Sequence, residues 1–234
     1  MIRYYVLLAG LGMSVLGHAQ NTKTIDIKPF SKVRILGCVT AELKQTSSPS
    51  LTVSANRNVD EARLTFDNKG DELIIRQEWG KEVFKKGDCR ASDIKINLGF
   101  LALEAITTGV GAEVTVLTPL QTRDLDLDAT TGSRLTLQAE VKNLIVKSVQ
   151  GSVVTLSGTA DEQQVTVNTG GELHGYDLNS EDAFVKANTG GVAQINVSKR
   201  LDAKASTGGA VRFKGNPAKK EVNTSLGGEV GSGK

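Results

Sequence analysis

From Gly111 to the C-terminus the chain returns to a glycine corner at a nearly fixed interval. Gly111, Gly132, Gly151, Gly170, Gly190, Gly208 and Gly227 stand 21, 19, 19, 20, 18 and 19 residues apart. A period near 20 with β-rich text between the glycines is the signature of stacked, similar coils, none of which can bury its apolar side chains alone. Ordering one coil opposes folding by more than its few aliphatic side chains return. Such coils therefore come as an array stabilised by contacts between neighbours, and the two ends of the array need covers.

Aligned on the glycine, the repeats resolve into columns. Five residues before it stand Ile106, Leu127, Val146, Val165, Val185, Ala203 and Val222, and three before it Thr108, Ala129, Ser148, Val167, Ala187, Ala205 and Thr224. Three and five residues after it come Val114/Val116, Leu135/Leu137, Val154/Leu156, Leu173/Gly175, Ala193/Ile195 and Val211/Phe213. Alternation with period two on both sides of a corner means two strands per coil, each with one face in the core. The interleaved Asp126, Asp128, Lys147, Thr166, Lys186, Asp202 and Lys204 then point outward, with equivalent residues of adjacent coils about 4.8 Å apart.

The glycines have a mechanical role. Doublets such as Gly170-Gly171 and Gly190-Gly191 are expected to supply positive φ where the chain turns between strands. The residues before them, Thr131, Gln150, Thr169, Thr189 and Thr207, are expected to form a hydroxyl and amide ladder along the corner. A phosphate-binding loop requires a helix after the glycines, and no helical periodicity follows any of them.

Residues 1–19 read as a secretory signal: Arg3, the apolar run Tyr4 to Leu16, then Gly17-His18-Ala19 before the cut. The apolar run is too short to span a bilayer. Residues 20–234 read as one β-solenoid domain, with irregular N-terminal coils and a cap over 20–103 and regular repeats over 104–230. In the first part Thr24 to Ile27, Val33 to Ile35, Leu51 to Val53, Leu64 to Phe66 and Leu73 to Ile75 alternate as strands, and Gly80 to Ala91 reads as a surface loop.

Charge and composition narrow the chemistry. Loss of Arg3 with the leader takes 28 Lys and Arg to 27 against 26 Asp and Glu, a net charge of +1 in place of +2. That balance disfavours nucleic acid, which selects a basic face. The two cysteines, Cys38 and Cys89, can form a disulfide in an oxidising compartment. One histidine, His174, remains after processing, so neither a metal set nor a Ser-His or Cys-His pair is expected, and no catalytic residue or cofactor is assigned.

Asp124, Asp126 and Asp128 alternate on one strand and could hold a cation or serve a polysaccharide-active enzyme together with Lys147; the plainer reading is a solvated strand face. The residues expected to bind a ligand are His174, Tyr176 and Phe184, aromatic groups on an otherwise polar surface, with Phe184 near Ile145 two coils back.

The segments Ile27-Lys28-Pro29-Phe30-Ser31-Lys32-Val33, Leu51 to Asn56, Asp71 to Ile75 and coils such as Ala187-Asn188-Thr189-Gly190-Gly191 resemble the auto-transporter adhesin head domain, or GIN domain, of Bacteroidetes. The resemblance covers roughly residues 22–230 and implies a right-handed parallel β-helix of about seven coils in an exported, periplasmic or cell-surface protein. It brings no functional residues with it. The expectation is a non-enzymatic binder of a cell-envelope glycan or protein, not membrane-spanning after cleavage. A β-helical lyase or hydrolase, or a self-associating structural module forming a homo-oligomer, stands as the alternative.

Overall fold

The computed structural model describes residues 21–55, 63–78 and 94–233. The leader, Trp79, the loop expected at Gly80 to Ala91 and Cys89 lie outside the described residues. The N-terminal part contains strands β1 (Asn21–Ile25), β2 (Lys32–Leu36), β3 (Thr40–Gln45), β4 (Ser50–Ala55), β5 (Leu64–Lys69), β6 (Glu72–Gln77) and β7 (Ile94–Phe100). The array follows as β8 (Ala105–Gly109), β9 (Glu113–Val116), β10 (Leu120–Ala129), β11 (Arg134–Val149), β12 (Val153–Asn168), β13 (Glu172–Ala187), β14 (Val192–Ser206), β15 (Ala210–Lys214), β16 (Lys219–Ser225) and β17 (Glu229–Ser232). The protein is an all-β solenoid, with no helix among the described residues.

Each glycine corner joins two strands on opposite faces. The face before the corner is built from β8, β10, the second halves of β11 to β14, and β16; the face after it from β9, the first halves of β11 to β14, β15 and β17. Parallel pairing in register stacks Ile106 on Leu127, Val146, Val165, Val185, Ala203 and Val222. All but Val222 are buried. At the second corner of the regular coils the strand does not break, and outward residues instead fall side by side, as at Lys142-Asn143, Asp161-Glu162 and Glu181-Asp182, which moves the inward phase from one face to the other.

The N-terminal part adds two more levels, out of chain order. β2 and β3 pair in parallel with β8 and β9 on one side and with β6 and β7 on the other. The coil made first in the sequence is thus clamped between two made later, and the interior column runs Leu73, Val33, Ile106 across them. Antiparallel strands then close this end: β4 on β7, β1 on β4, and β5 on β6. One continuous buried cluster extends from Phe30 to Phe213.

The glycine corners are type I′ turns, and the positive φ expected of the doublets falls on their first glycine and not on their second. Positive φ falls on the glycine and on the residue before it, the latter between 47° and 58° at Val110, Thr131, Gln150, Thr169, Thr189, Thr207 and Leu226. A left-handed non-glycine residue costs about 1–2 kcal/mol. The geometry persists because it aims one N–H from each coil at the next: Gly132 donates to the Gln150 carbonyl, Gly151 to Thr169, Gly170 to Thr189 and Gly190 to Thr207, at 3.0 to 3.1 Å. The ladder is carried by backbone; side chains join it at Thr130 and Thr131, whose hydroxyls donate to Gln150 Oε1.

The second glycine of each doublet serves close approach. A Cβ on Gly171 would stand 2.0 Å from the Ser148 carbonyl oxygen, and one on Gly209 2.2 Å from that of Ala187. Earlier coils have room there for Ala112, Ser133 and Ser152, and the two serines extend buried hydroxyl bonds, Thr108 with Ser133 at 3.0 Å and Ser148 with Ser152 at 2.9 Å.

Candidate functional site

The outer side of the face before the glycine corner is a grid three residues wide, because each strand there presents alternate side chains and each coil repeats the register. Across the coils its middle column reads Asp126, Ile145, Gln164, Phe184, Asp202 and Glu221. The column toward the glycine corner reads Asp128, Lys147, Thr166, Lys186, Lys204 and Asn223; the column toward the second corner reads Asp124, Asn143, Glu162, Asp182, Arg200 and Lys219.

Phe184 is the large aromatic residue of this grid and sits half-buried in it. An open trough of about 370 Å³ lies over its coil, lined by Glu162, Gln164, Phe184, Lys186, Asp202 and Lys204 among others. A second hollow of about 280 Å³, lined by Asp202, Lys204, Glu221, Val222 and Asn223, continues it toward the C-terminal end. The Arg200 guanidinium stands 5.1 Å from the Phe184 ring centre, its Nη2 3.7 Å from Glu221. An aromatic ring with the Arg200 guanidinium over it, framed by carboxylates, an amide and ammonium groups, suits a polyhydroxylated, nearly neutral ligand: the ring offers apolar surface and the rim offers donors and acceptors.

His174 and Tyr176 do not line this trough. They lie on β13 before the second corner, on the opposite face of the coil, and a bulge between Thr155/Ser157 and Gly175/Asn179 breaks the register around Tyr176. The structure therefore brings His174 and Tyr176 together and sets Phe184 apart. The Lys214 ammonium covers the Tyr176 ring at 4.5 Å, and Gly233 packs so close to the phenol that a Cβ there would stand 2.1 Å from its oxygen. His174 Nε2 is 3.0 Å from Glu172 Oε2. Nearby, Arg212 donates to Glu229, which holds the Glu229 carboxyl below its ordinary range and the guanidinium above its own.

Asp124, Asp126 and Asp128 share one side of β10 at strand spacing, so their carboxylates spread along the strand instead of converging. Asn143 Nδ2 donates to Asp124 at 2.6 Å, and Lys147 neighbours Asp128 in register. Among the described residues no group of three His, Cys, Asp or Glu side chains is placed to hold a metal ion. At the second corner Lys199 donates to Glu181 at 2.6 Å, and this hydrogen bond raises the Lys199 ammonium above its usual value.

Sequence reasoning missed the cations that cover the aromatics: Arg200 on Phe184, Lys214 on Tyr176, and Lys220 on Phe213 at 4.8 Å. The signal was present in the period, since Arg200 lies one coil beyond Asp182 and Lys220 one beyond Leu201 in the same columns.

Known structures share this architecture. A "putative adhesin" from Bacteroides fragilis superposes with a TM-score of 0.79 at 20% identity, over 90% of this chain and 95% of that one. A "putative lipid binding protein" from Parabacteroides distasonis superposes with a TM-score of 0.68 at 18% identity, over 91% and 96%. A "putative adhesin" from Parabacteroides merdae gives 0.66 at 18%, over 91% and 95%. No curated protein matches the sequence. The model of the family described as "Putative auto-transporter adhesin, head GIN domain" matches residues 29–217, most of the solenoid, and the chain belongs to that family.

Proposed function

We propose that this protein is an exported, non-enzymatic binding module of the cell envelope, and that it holds a glycan in the trough over Phe184. The observation that carries the reading is the half-buried Phe184 ring framed by Glu162, Gln164, Lys186, Asp202 and Lys204 in an open hollow of about 370 Å³. The adhesin description of the family and of two structural relatives supports binding over catalysis. So does the spread of Asp124, Asp126 and Asp128 along one strand, which does not set those three carboxylates around a bond to be cut. A relative named for lipid binding raises lipid as the rival ligand. The interior here is filled by aliphatic side chains from Phe30 to Phe213, so a lipid would have to bind outside.

The test is calorimetric titration of envelope oligosaccharides, with phospholipid vesicles in parallel, against the parent and Phe184→Ala. Saturable oligosaccharide binding that weakens roughly tenfold in the variant, equivalent to about 1.4 kcal/mol, supports the reading. Binding to vesicles alone, or oligosaccharide binding equal in both proteins, refutes it. His174 and Tyr176 on the opposite face serve as the control: Tyr176→Ala should leave trough binding unchanged.

Export and oxidation belong to the same proposal. The secreted protein should begin at Gln20 and carry a Cys38–Cys89 bond. Intact mass with and without reductant reads both, and a retained leader or a mass unchanged by reduction would contradict them.

A further inference from the structure

The solenoid is finished differently at its two ends, and the C-terminal end carries an interaction surface. β16 is hydrogen-bonded to β14 and β17 to β15, and among the described residues neither has a pairing strand on its other side. In each coil the outward residue turns its N–H to the preceding coil, as Asp126 does to Glu104, Thr130 to Thr108 and Glu229 to Gly209. A strand residue directs its N–H and C=O to the same side, so in β16 the inward residues Lys220, Val222 and Thr224 present both groups at the open edge. The interior column is uncovered there as well. Val222 is 48% exposed, although the residues before it in the column, from Leu73 to Ala203, are all buried.

We propose that this edge pairs with the same edge of a second copy of the chain, tail to tail about a two-fold axis, with β16 antiparallel to its counterpart and centred on Val222. The strand is compatible with its own copy in one full-length register, and this points to a second copy as the occupant. In that register Lys219 faces Ser225, Lys220 faces Thr224 and Glu221 faces Asn223, so the full strand Lys219–Ser225 overlaps with no like charges opposed. Centring on Lys220 sets ammonium against ammonium, and centring on Thr224 leaves only Asn223 to Ser225 paired. Val222 meeting its own counterpart forms a hydrogen-bonded antiparallel pair and joins the two interior columns. The contact uses up the β16 edge of both copies, so this surface joins two copies and no more. The axis runs along the face normal, which leaves both Phe184 troughs on one side, a bivalent arrangement.

Light scattering on the purified protein across a concentration series tests this, with twice the chain mass expected. Val222→Pro removes an N–H from the open edge and none from the β14 ladder, and should give a monomer with unchanged β-sheet circular dichroism. Val222→Cys on the axis should cross-link under mild oxidation, while Lys219→Cys, opposite Ser225, should not. A monomer at every concentration, a dimer that survives Val222→Pro, or cross-linking through Lys219→Cys and not through Val222→Cys overturns the proposal.

Discussion

At its N-terminal end the solenoid is stacked out of chain order and bounded by antiparallel strands; at its C-terminal end it is stacked in order and bounded by parallel ones. Val33 pairs with Ile106, 73 positions away along the chain, and with Leu73 on its other side, whereas Ala203 pairs with Val222 only 19 positions away. Inserting an early coil between two later ones requires closing long loops before any contact is made, and that is slow and entropically unfavourable. In return the outer edges of β6 and β7 are paired by the antiparallel strands β5 and β4. Adding coils in order needs only the 19-residue loop of each repeat, but no strand among the described residues covers the last coil.

The largest effect that tests this difference is a truncation at each end of the interior. Leu43 is fully buried between β7 and β9, with Leu98 and Val116 as its register partners. Leu43→Ala should lower the unfolding free energy by about 3–4 kcal/mol, within the range for buried leucines. Val222→Ala, half-exposed within one copy at the other end, should cost less than about 1 kcal/mol by the same area argument when both proteins are dilute enough to be monomeric. Guanidinium unfolding measures both. Equal losses would mean that the C-terminal edge is as well covered as the N-terminal one, and the contrast would fail.

The corners give the next effect. Gly209→Ala places a Cβ 2.2 Å from the Ala187 carbonyl, backbone that cannot yield without disturbing the ladder, and should cost about 1–3 kcal/mol. The corresponding position three coils and more toward the N-terminus already holds Ser152, Ser133 and Ala112, so Ser133→Ala should cost less, losing only its bonds to the Thr108 hydroxyl and carbonyl. A melting temperature unaffected by Gly209→Ala would show that the later corners are no tighter than the early ones.

The period of the glycines made the array readable, because every coil repeats the same local demands: inward aliphatics at fixed offsets and a left-handed corner. The inward columns from Ile106 to Val211 are buried as the alternation requires, apart from Val222 and Thr224 at the open end. What the period hid was position along the stack. Nothing local to Val33 or Leu43 says that their coil lies between Leu73 and Ile106, since that depends on pairing between distant segments. Cys38 occupies the register of the corner glycine Gly111, but the turn there is a different one, with φ of 133° at Gly37 and no positive φ at Cys38, so no glycine marks it in the period. The site was half readable for a related reason. His174, Tyr176 and Phe184 are near in sequence on one strand, yet the second corner runs between them without breaking β13, and it sends Phe184 to the other face. Gln163 shows the same blindness to context. Its place in an aliphatic column is buried, with Nε2 donating to Ser180 at 2.7 Å, and only the fold explains a polar group there.

The smallest effect concerns how the open end is covered within a single copy, and is read at the same dilution. Lys220 occupies the interior column after Leu201, where an aliphatic residue would extend the core into solvent. Its methylene stem follows the column while its ammonium rests 4.8 Å from the Phe213 ring, so a single side chain covers apolar surface and keeps a charge on the exposed edge. Lys220→Met retains the stem and removes the charge, and should cost about 0.5–1 kcal/mol, the value of an exposed cation–π contact. In a Phe213→Leu background that loss should vanish, because the ring that attracts the ammonium is gone. A double-mutant cycle in denaturant reads the difference. If Lys220→Met costs the same with and without the ring, the ammonium is not held by Phe213, and the open end owes its cover to the stem alone.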